Sequence, residues 1–162
     1  MKDCGLVDQV ICLAKPALPL PTYADNGFNM FLPDVGLLGA MSGLDAQTLL
    51  KGNNLFSEFT GDLTEQYVAQ QLRSELGLSP FYWSVERATA EVDFLFQQGM
   101  NIYPLEVKAE ENLKKKSLKV YSETYNPPMI IRTSMSDYRK ESWLLNMSLY
   151  AISRLVSECQ KY

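Results

Sequence analysis

The sequence predicts one main α/β domain, and three observations carry that expectation. At 162 residues and 46% apolar content, the chain can fill one substantial hydrophobic core. A helical pattern is followed by three short strand patterns, a second helix and a further strand. Gly77, Gln97-Gln98-Gly99 and Asn126-Pro127-Pro128 punctuate that series where the period changes.

The first 60 residues read as an appendage. Gln9 to Leu13 can form a strand, but Pro16, Pro19 and Pro21 follow, each without a backbone donor, as in an edge segment leading into an extended arm. Asp34 to Met41 suits a short helix, and Asp45 to Lys51 a further turn or helix. Gly52-Asn53-Asn54 reads as a turn, so the division expected is 1–60 for the arm and 61–162 for the main domain.

Asp62 to Leu76 carries the strongest helical pattern, with Val68, Ala69, Leu72 and Leu76 on one side. Asp62 is placed as an N-cap and Glu65 three residues later, as in a capping box. Glu65 also projects near the centre of the apolar stripe, an unusual place for a carboxylate. Phe81 to Val85, Ala90 to Phe96 and Asn101 to Ala109 are spaced closely enough for an antiparallel meander. Lys114 to Tyr125 forms the next helix and Met129 to Thr133 a returning strand. Residues 143–159 fit a terminal helix packing through Leu144, Met147, Ala151 and Leu155.

Composition removes several chemistries. With no histidine, the chain cannot supply a Ser-His-Asp triad, a Cys-His pair or a histidine-containing zinc site, which leaves carboxylates as the metal ligands to expect. Cys4, Cys12 and Cys159 are too far apart for a short metal motif, and their odd number suits a reducing compartment. Fifteen basic residues against 19 acidic ones give a charge of -4, so no overall positive field announces nucleic acid, although a local basic patch remains open. The amino terminus lacks a secretory pattern and no apolar run is long enough to span a bilayer, so a cytoplasmic location without membrane partners is expected.

The remaining chemistry falls on two strands. Period-two alternation puts Ala90, Val92, Phe94 and Phe96 on one face and Glu91, Asp93 and Leu95 on the other. On the next strand Glu106 and Lys108 share a face with Ile102 and Pro104, opposite Tyr103, Leu105 and Val107. Pairing through Gln97-Gln98-Gly99 lets Asp93 approach Glu106, with Lys108 one repeat further along. Two carboxylates could then bind Mg²⁺ or Mn²⁺, and Lys108 could orient water or offset developing negative charge. Glu65 could join as another ligand or as a residue that orients water. Salt bridges and solvation explain the same strand residues without function, and a capping box does so for Glu65. Lys114, Lys115, Lys116 and Lys119 suit a solvated helix face or phosphate contact beside Glu110 and Glu111. Tyr82, Trp83, Tyr121 and Tyr125 suit core packing or base stacking.

Five segments add a resemblance: Leu32-Pro33-Asp34-Val35-Gly36-Leu37-Leu38, Gly61-Asp62-Leu63-Thr64-Glu65, Glu91-Val92-Asp93-Phe94, Pro104-Leu105-Glu106-Val107-Lys108 and Ser148-Leu149-Tyr150-Ala151. Together they resemble the PD-(D/E)XK nuclease-like superfamily, and more closely the C-terminal domain of unknown function attached to prokaryotic AAA-type ATPases. The resemblance implies a restriction-endonuclease-like mixed sheet flanked by helices, with an incomplete winged-helix-like appendage at the amino terminus. It matches Glu65 to the helix acid, Asp93 to the first strand acid, and Glu106 with Lys108 to the final pair. Val92 stands where a proline often precedes the first acid, which changes backbone preference without removing a ligand. No Gly-rich Lys-Ser/Thr phosphate loop is present, so no ATP site is expected in this chain.

Two functions from different classes follow. One is Mg²⁺- or Mn²⁺-dependent hydrolysis of DNA or RNA phosphodiesters by Glu65, Asp93, Glu106 and Lys108. The other is a noncatalytic nucleic-acid- or protein-binding module that operates beside an ATPase partner. A purely structural interaction domain, using the Pro-rich arm, is a third.

Overall fold

Apolar runs from both ends of the chain join one sheet. This computed structural model describes residues 5–43, 57–85, 90–109 and 116–161. Strands β1 (Asp8–Leu13) and β2 (Ala24–Phe31) form an antiparallel pair, connected through a 3-10 turn at Leu20–Tyr23. The proline-bearing segment is therefore a return loop into an edge strand, and β1 itself pairs in parallel with β3 (Phe81–Ser84).

Helix α1 (Val35–Met41) starts where the sequence places it, because the Asp34 carboxylate accepts the Leu37 N–H at 3.0 Å. Helix α2 (Ser57–Ser74) starts earlier than expected. Asp62 consequently lies inside the helix and does not cap it, so the capping box with Glu65 is corrected. Thr64 Oγ1 donates to the Thr60 carbonyl at 2.7 Å, as an interior hydroxyl does. Arg73 ties the far end of α2 to β1 through the Gln9 carbonyl at 2.7 Å and Asp8 at 3.3 Å.

The expected meander is present. Strands β4 (Glu91–Gln98) and β5 (Asn101–Lys108) pair antiparallel from Gln98 opposite Asn101 to Phe94 opposite Leu105. Gly99 turns the hairpin with φ 62°, in the left-handed region. An added Cβ at Gly99 would meet open space, so only backbone strain opposes it. Gly99→Ala should therefore lower stability by about 1 kcal/mol in denaturant unfolding.

One strand departs from simple alternation. On β4, Val92 pairs with Trp83 and Leu95 with Phe81, so Asp93 and Phe94 together oppose Tyr82 in a β-bulge. Val92 and Leu95 pack in one core layer while Phe94 and Phe96 pack in the other, which corrects the expected grouping of Val92 with Phe94 and Phe96. A bulge adds one residue and thereby inverts the period-two pattern beyond it.

Helix α3 (Lys116–Tyr125) ends at Asn126, whose φ is 45°, and β6 (Ile130–Ser134) returns parallel to β5. The short strand β7 (Arg139–Lys140) follows, and β8 (Leu144–Ser148) replaces the first part of the terminal helix expected over 143–159. A 3-10 segment (Leu149–Arg154) and the short helix α4 (Leu155–Cys159) complete the chain. All five residues of β8 are buried: Leu144, Leu145 and Met147 pack in the core, and Asn146 and Ser148 are satisfied by hydrogen bonds with Ser134 and the Asp137 and Ser136 carbonyls. Leu144 and Met147 thus pack from a strand, and only Leu155 does so from an α-helix.

The sheet order is β2-β1-β3-β4-β5-β6-β8-β7. On one face α2, the 3-10 segment and α4 bury Val68, Leu72, Ile152 and Leu155 against Phe94, Tyr103 and Ile131. On the other, α3 buries Leu118 and Tyr121 against Trp83, Leu95 and Ile130. Trp83, Tyr121 and Tyr125 form edge-on and tilted ring contacts, with centroids 4.9–5.5 Å apart, so their role is packing. Tyr82 is buried as well. Lys119 is exposed and faces Glu123 at 3.8 Å, on a solvated helix surface. Cys12 and Cys159 are buried free thiols. Cys4, the 45–51 and 52–54 segments, Glu110, Glu111, Lys114 and Lys115 lie outside the described residues. No described helix is long and apolar enough to cross a membrane.

Candidate functional site

At the carboxyl end of β5 the hairpin register runs one pair short of setting Asp93 opposite Glu106. The bulge turns that position to another use. Asp93 Oδ2 accepts the Val107 N–H at 2.6 Å, so a side chain replaces the ladder partner at the point where the two strands separate. One residue further, Lys108 Nζ meets Glu106 Oε1 at 2.6 Å. Glu106 is only 4% exposed, and its second oxygen, Oε2, is buried with no hydrogen-bond partner.

Glu65 comes from the helix layer. It lies half-buried one turn before Val68 and Ala69, on the side of α2 that packs on the sheet. A cleft of about 490 Å³ reaches it, bounded by Asn29, Met30, Leu32, Asp62 and Gln66. Two glutamines that sequence reasoning passed over hold the chain beside the cleft, and Gln66 also lines it. Gln66 Oε1 accepts the Leu32 N–H at 2.9 Å while its Nε2 donates to the Leu32 carbonyl, and Gln70 Oε1 accepts the Val35 N–H at 2.9 Å. They clamp the Leu32-Pro33-Asp34-Val35 segment to α2 beside Glu65. Their i, i+4 spacing next to a carboxylate on an otherwise apolar stripe was the available signal.

Charge ties the four predicted residues together. Burial pushes the Asp93 carboxyl up to about 8, the charges of Glu65 and Glu106 add to the rise, and the Val107 N–H and Lys108 oppose it. Burial likewise raises Glu65, aided by Asp62, Glu91 and Glu106 and opposed by Lys108. For Lys108 burial works downward, but the Glu106 hydrogen bond and the charges of Glu106, Asp93 and Glu65 raise it overall. Each of Glu65, Asp93, Glu106 and Lys108 is thus within electrostatic reach of the other three. Among the described residues, no three Asp, Glu, Cys or His side chains are grouped closely enough to hold a metal ion.

A fifth charged residue, unmarked in the sequence pattern, lies beside them. Arg132 on β6 is the Cα partner of Glu106, is 3% exposed, and has a buried Nη2 without a hydrogen-bond partner. Burial lowers its pKa, against the charges of Glu106 and Glu141. An arginine inside an apolar run, at the strand position after Ile130-Ile131, was its only sequence trace.

The arrangement is a mixed sheet end with one acid from a helix, one from a bulge and an acid-lysine pair from a central strand. Residues 60–150 of this chain, the stretch that contains every one of those groups, match a family described as a domain of unknown function, DUF4143. The chain belongs to the DUF4143 family. DUF4143 domains occur in association with AAA-type ATPases. Curated proteins and solved structures return no match. The DUF4143 region takes in α2 to β8, so the β1–β2 pair that closes one edge of the sheet stands outside it.

Proposed function

We propose that this DUF4143 domain is a divalent-cation-dependent phosphodiesterase acting on DNA or RNA through Glu65, Asp93, Glu106 and Lys108. The observation that supports this reading is the mutual electrostatic reach of the four side chains at one sheet end, together with the orphaned Glu106 Oε2. Once Asp93 is ionised, above about pH 8, three acids outnumber the two cations Lys108 and Arg132, and a buried carboxylate oxygen without a donor is costly. A cation relieves both. Asp93 and Glu106 are the residues that would hold Mg²⁺ or Mn²⁺, which when bound lowers the pKa of water and offsets charge on a phosphoryl oxygen.

The chain's own groups divide the remaining work. Lys108 keeps its proton, because the Glu106 bond and the neighbouring acids raise its pKa, and so offers fixed positive charge to a phosphoryl oxygen. Glu65, reached by the cleft, has a pKa raised toward the range in which a carboxylate accepts a proton from water. With no three acids close enough together to hold a metal ion among the described residues, two protein ligands completed by solvent are the set to expect, as Mg²⁺ commonly keeps several waters.

The second reading is a noncatalytic nucleic-acid- or protein-binding regulatory module of an AAA-type ATPase system. The 2.6 Å contact of Lys108 with Glu106 favours it, since the two charges already satisfy each other in part. Titration calorimetry with Mn²⁺ at pH 8, beside cleavage assays on labelled DNA and RNA, separates the two. The phosphodiesterase reading expects stoichiometric Mn²⁺ binding and Mn²⁺-dependent scission, both lost in Glu106→Gln. A folded wild-type protein that binds no Mn²⁺ would reject it in favour of the regulatory module.

A further inference from the structure

The sheet end that carries Lys108 continues sideways into a second feature. Lys108, Ser134 and Ser148 are successive Cα partners across β5, β6 and β8. Ser148 is therefore two strand spacings, roughly 10 Å, from Lys108 at the same edge. There the chain leaves β8 for the 3-10 segment, and a groove of about 640 Å³ opens, bordered by Tyr138, Ser148, Tyr150, Ala151, Arg154 and Glu158.

Two aromatic rings in this groove face water. Tyr150 is 80% exposed and Tyr138 53%, in a chain whose Trp83, Tyr103 and Tyr121 are all buried. The Tyr138 hydroxyl donates to Glu158 Oε2 at 3.3 Å, which anchors one edge of that ring without covering it.

The charge around the rings is locally reversed. Glu158 is met by Lys161 at 2.6 Å and also lies within reach of Lys140. Arg154 is an exposed side chain on the groove wall. Arg139, Lys140, Arg154 and Lys161 thus outnumber Asp137, Glu141 and Glu158 here, although the chain as a whole carries -4. Exposed rings between cations fit a ligand that presents flat apolar faces and regularly spaced negative charge.

We propose that this groove is a single-strand subsite, which stacks unpaired bases of a polynucleotide on Tyr150 and Tyr138 and holds its phosphates with Arg154 and Lys140. The inference rests on the phosphodiesterase reading for the strand's course past Lys108, and it names that site's substrate as single-stranded. In a duplex the base faces are covered by neighbouring bases, so rings of this kind reach them only in an unpaired strand.

Binding is measured by fluorescence anisotropy on the full chain in EDTA, where cleavage plays no part. The probes are a labelled oligo-dT, a labelled oligo-U and a labelled DNA duplex of equal length. The expected result is that a single-stranded probe binds more tightly than the duplex, and that Tyr150→Ala weakens it about tenfold while Tyr150→Phe does not. Arg154→Ala should weaken binding and make it less steeply salt-dependent. Preference for oligo-dT or oligo-U assigns DNA or RNA, and equal binding of both assigns a groove that reads neither sugar; each supports the subsite. Duplex binding as tight as single-strand binding, or wild-type affinity in the Tyr150→Ala, Arg154→Ala double variant, overturns it, as does absence of binding to all three probes. Because both side chains are exposed, these variants should keep the wild-type melting temperature. Single-strand binding without cleavage in Mn²⁺ would defeat the phosphodiesterase reading while leaving the subsite in place.

Discussion

Asp93→Asn is expected to abolish Mn²⁺-dependent cleavage while the protein stays folded. The carboxamide oxygen can still accept the Val107 N–H that Asp93 Oδ2 accepts at 2.6 Å, so the strand junction survives. What disappears is the negative charge. Loss of a residue that merely orients a metal ligand commonly costs about 10–100-fold, so loss of a ligand itself should exceed about 100-fold in kcat/KM. Calorimetry should show Mn²⁺ binding weakened in parallel. Preserved cleavage in a folded Asp93→Asn protein would remove Asp93 from the site, and preserved metal binding with lost cleavage would make it a proton-transfer group instead.

The same residue governs the second large effect, on stability. Asp93 titrates near 8 in the folded chain against an ordinary value of 3.8, so between those values the folded protein holds a proton that the unfolded chain has released. A folded state that binds more protons loses stability as pH rises. The contribution is fully present below about pH 4 and gone above about pH 8, with a total size on the order of 6 kcal/mol for a shift from 3.8 to about 8. Glu65, also raised, adds to the slope with the same sign. Urea unfolding of the metal-free protein should show midpoints that fall from pH 5 to pH 8, and Asp93→Asn should flatten that decline and be the more stable protein at pH 8. Added Mn²⁺ should raise the wild-type midpoint more at pH 8 than at pH 5, because a cation replaces the proton. A pH-independent wild-type midpoint would mean that Asp93 is solvated and ordinary.

Much of the fold was legible because its signals are local. The Asp34 cap, the α2 stripe of Val68, Ala69 and Leu72, and the β4–β5 hairpin at Gly99 each depend on residues within a few positions of one another. The pairing of Glu106 with Lys108 follows from strand period alone. Where local pattern misled, distant partners had overridden it. Leu144 and Met147 have helical spacing, yet β6 on one side and β7 on the other supply hydrogen-bond partners that make Leu144–Ser148 a strand. Capping chemistry at Asp62 and Glu65 was equally local and equally misleading, since the helix begins at Ser57.

For the candidate site the division is the same. The sequence by itself determined which side chains are available: no histidine, three carboxylates in suggestive patterns, and a lysine two positions after the last of them. Only the tertiary structure decided that they come within electrostatic reach of one another. A bulge opposite Tyr82 turns Asp93 to the Val107 N–H, an early helix start frees Glu65 from capping, and a parallel neighbour sets Arg132 beside Glu106. Bulges, helix starts and strand neighbours are settled by how whole elements pack, and burial at their junction is what turns ordinary carboxylates into a charge-coupled group.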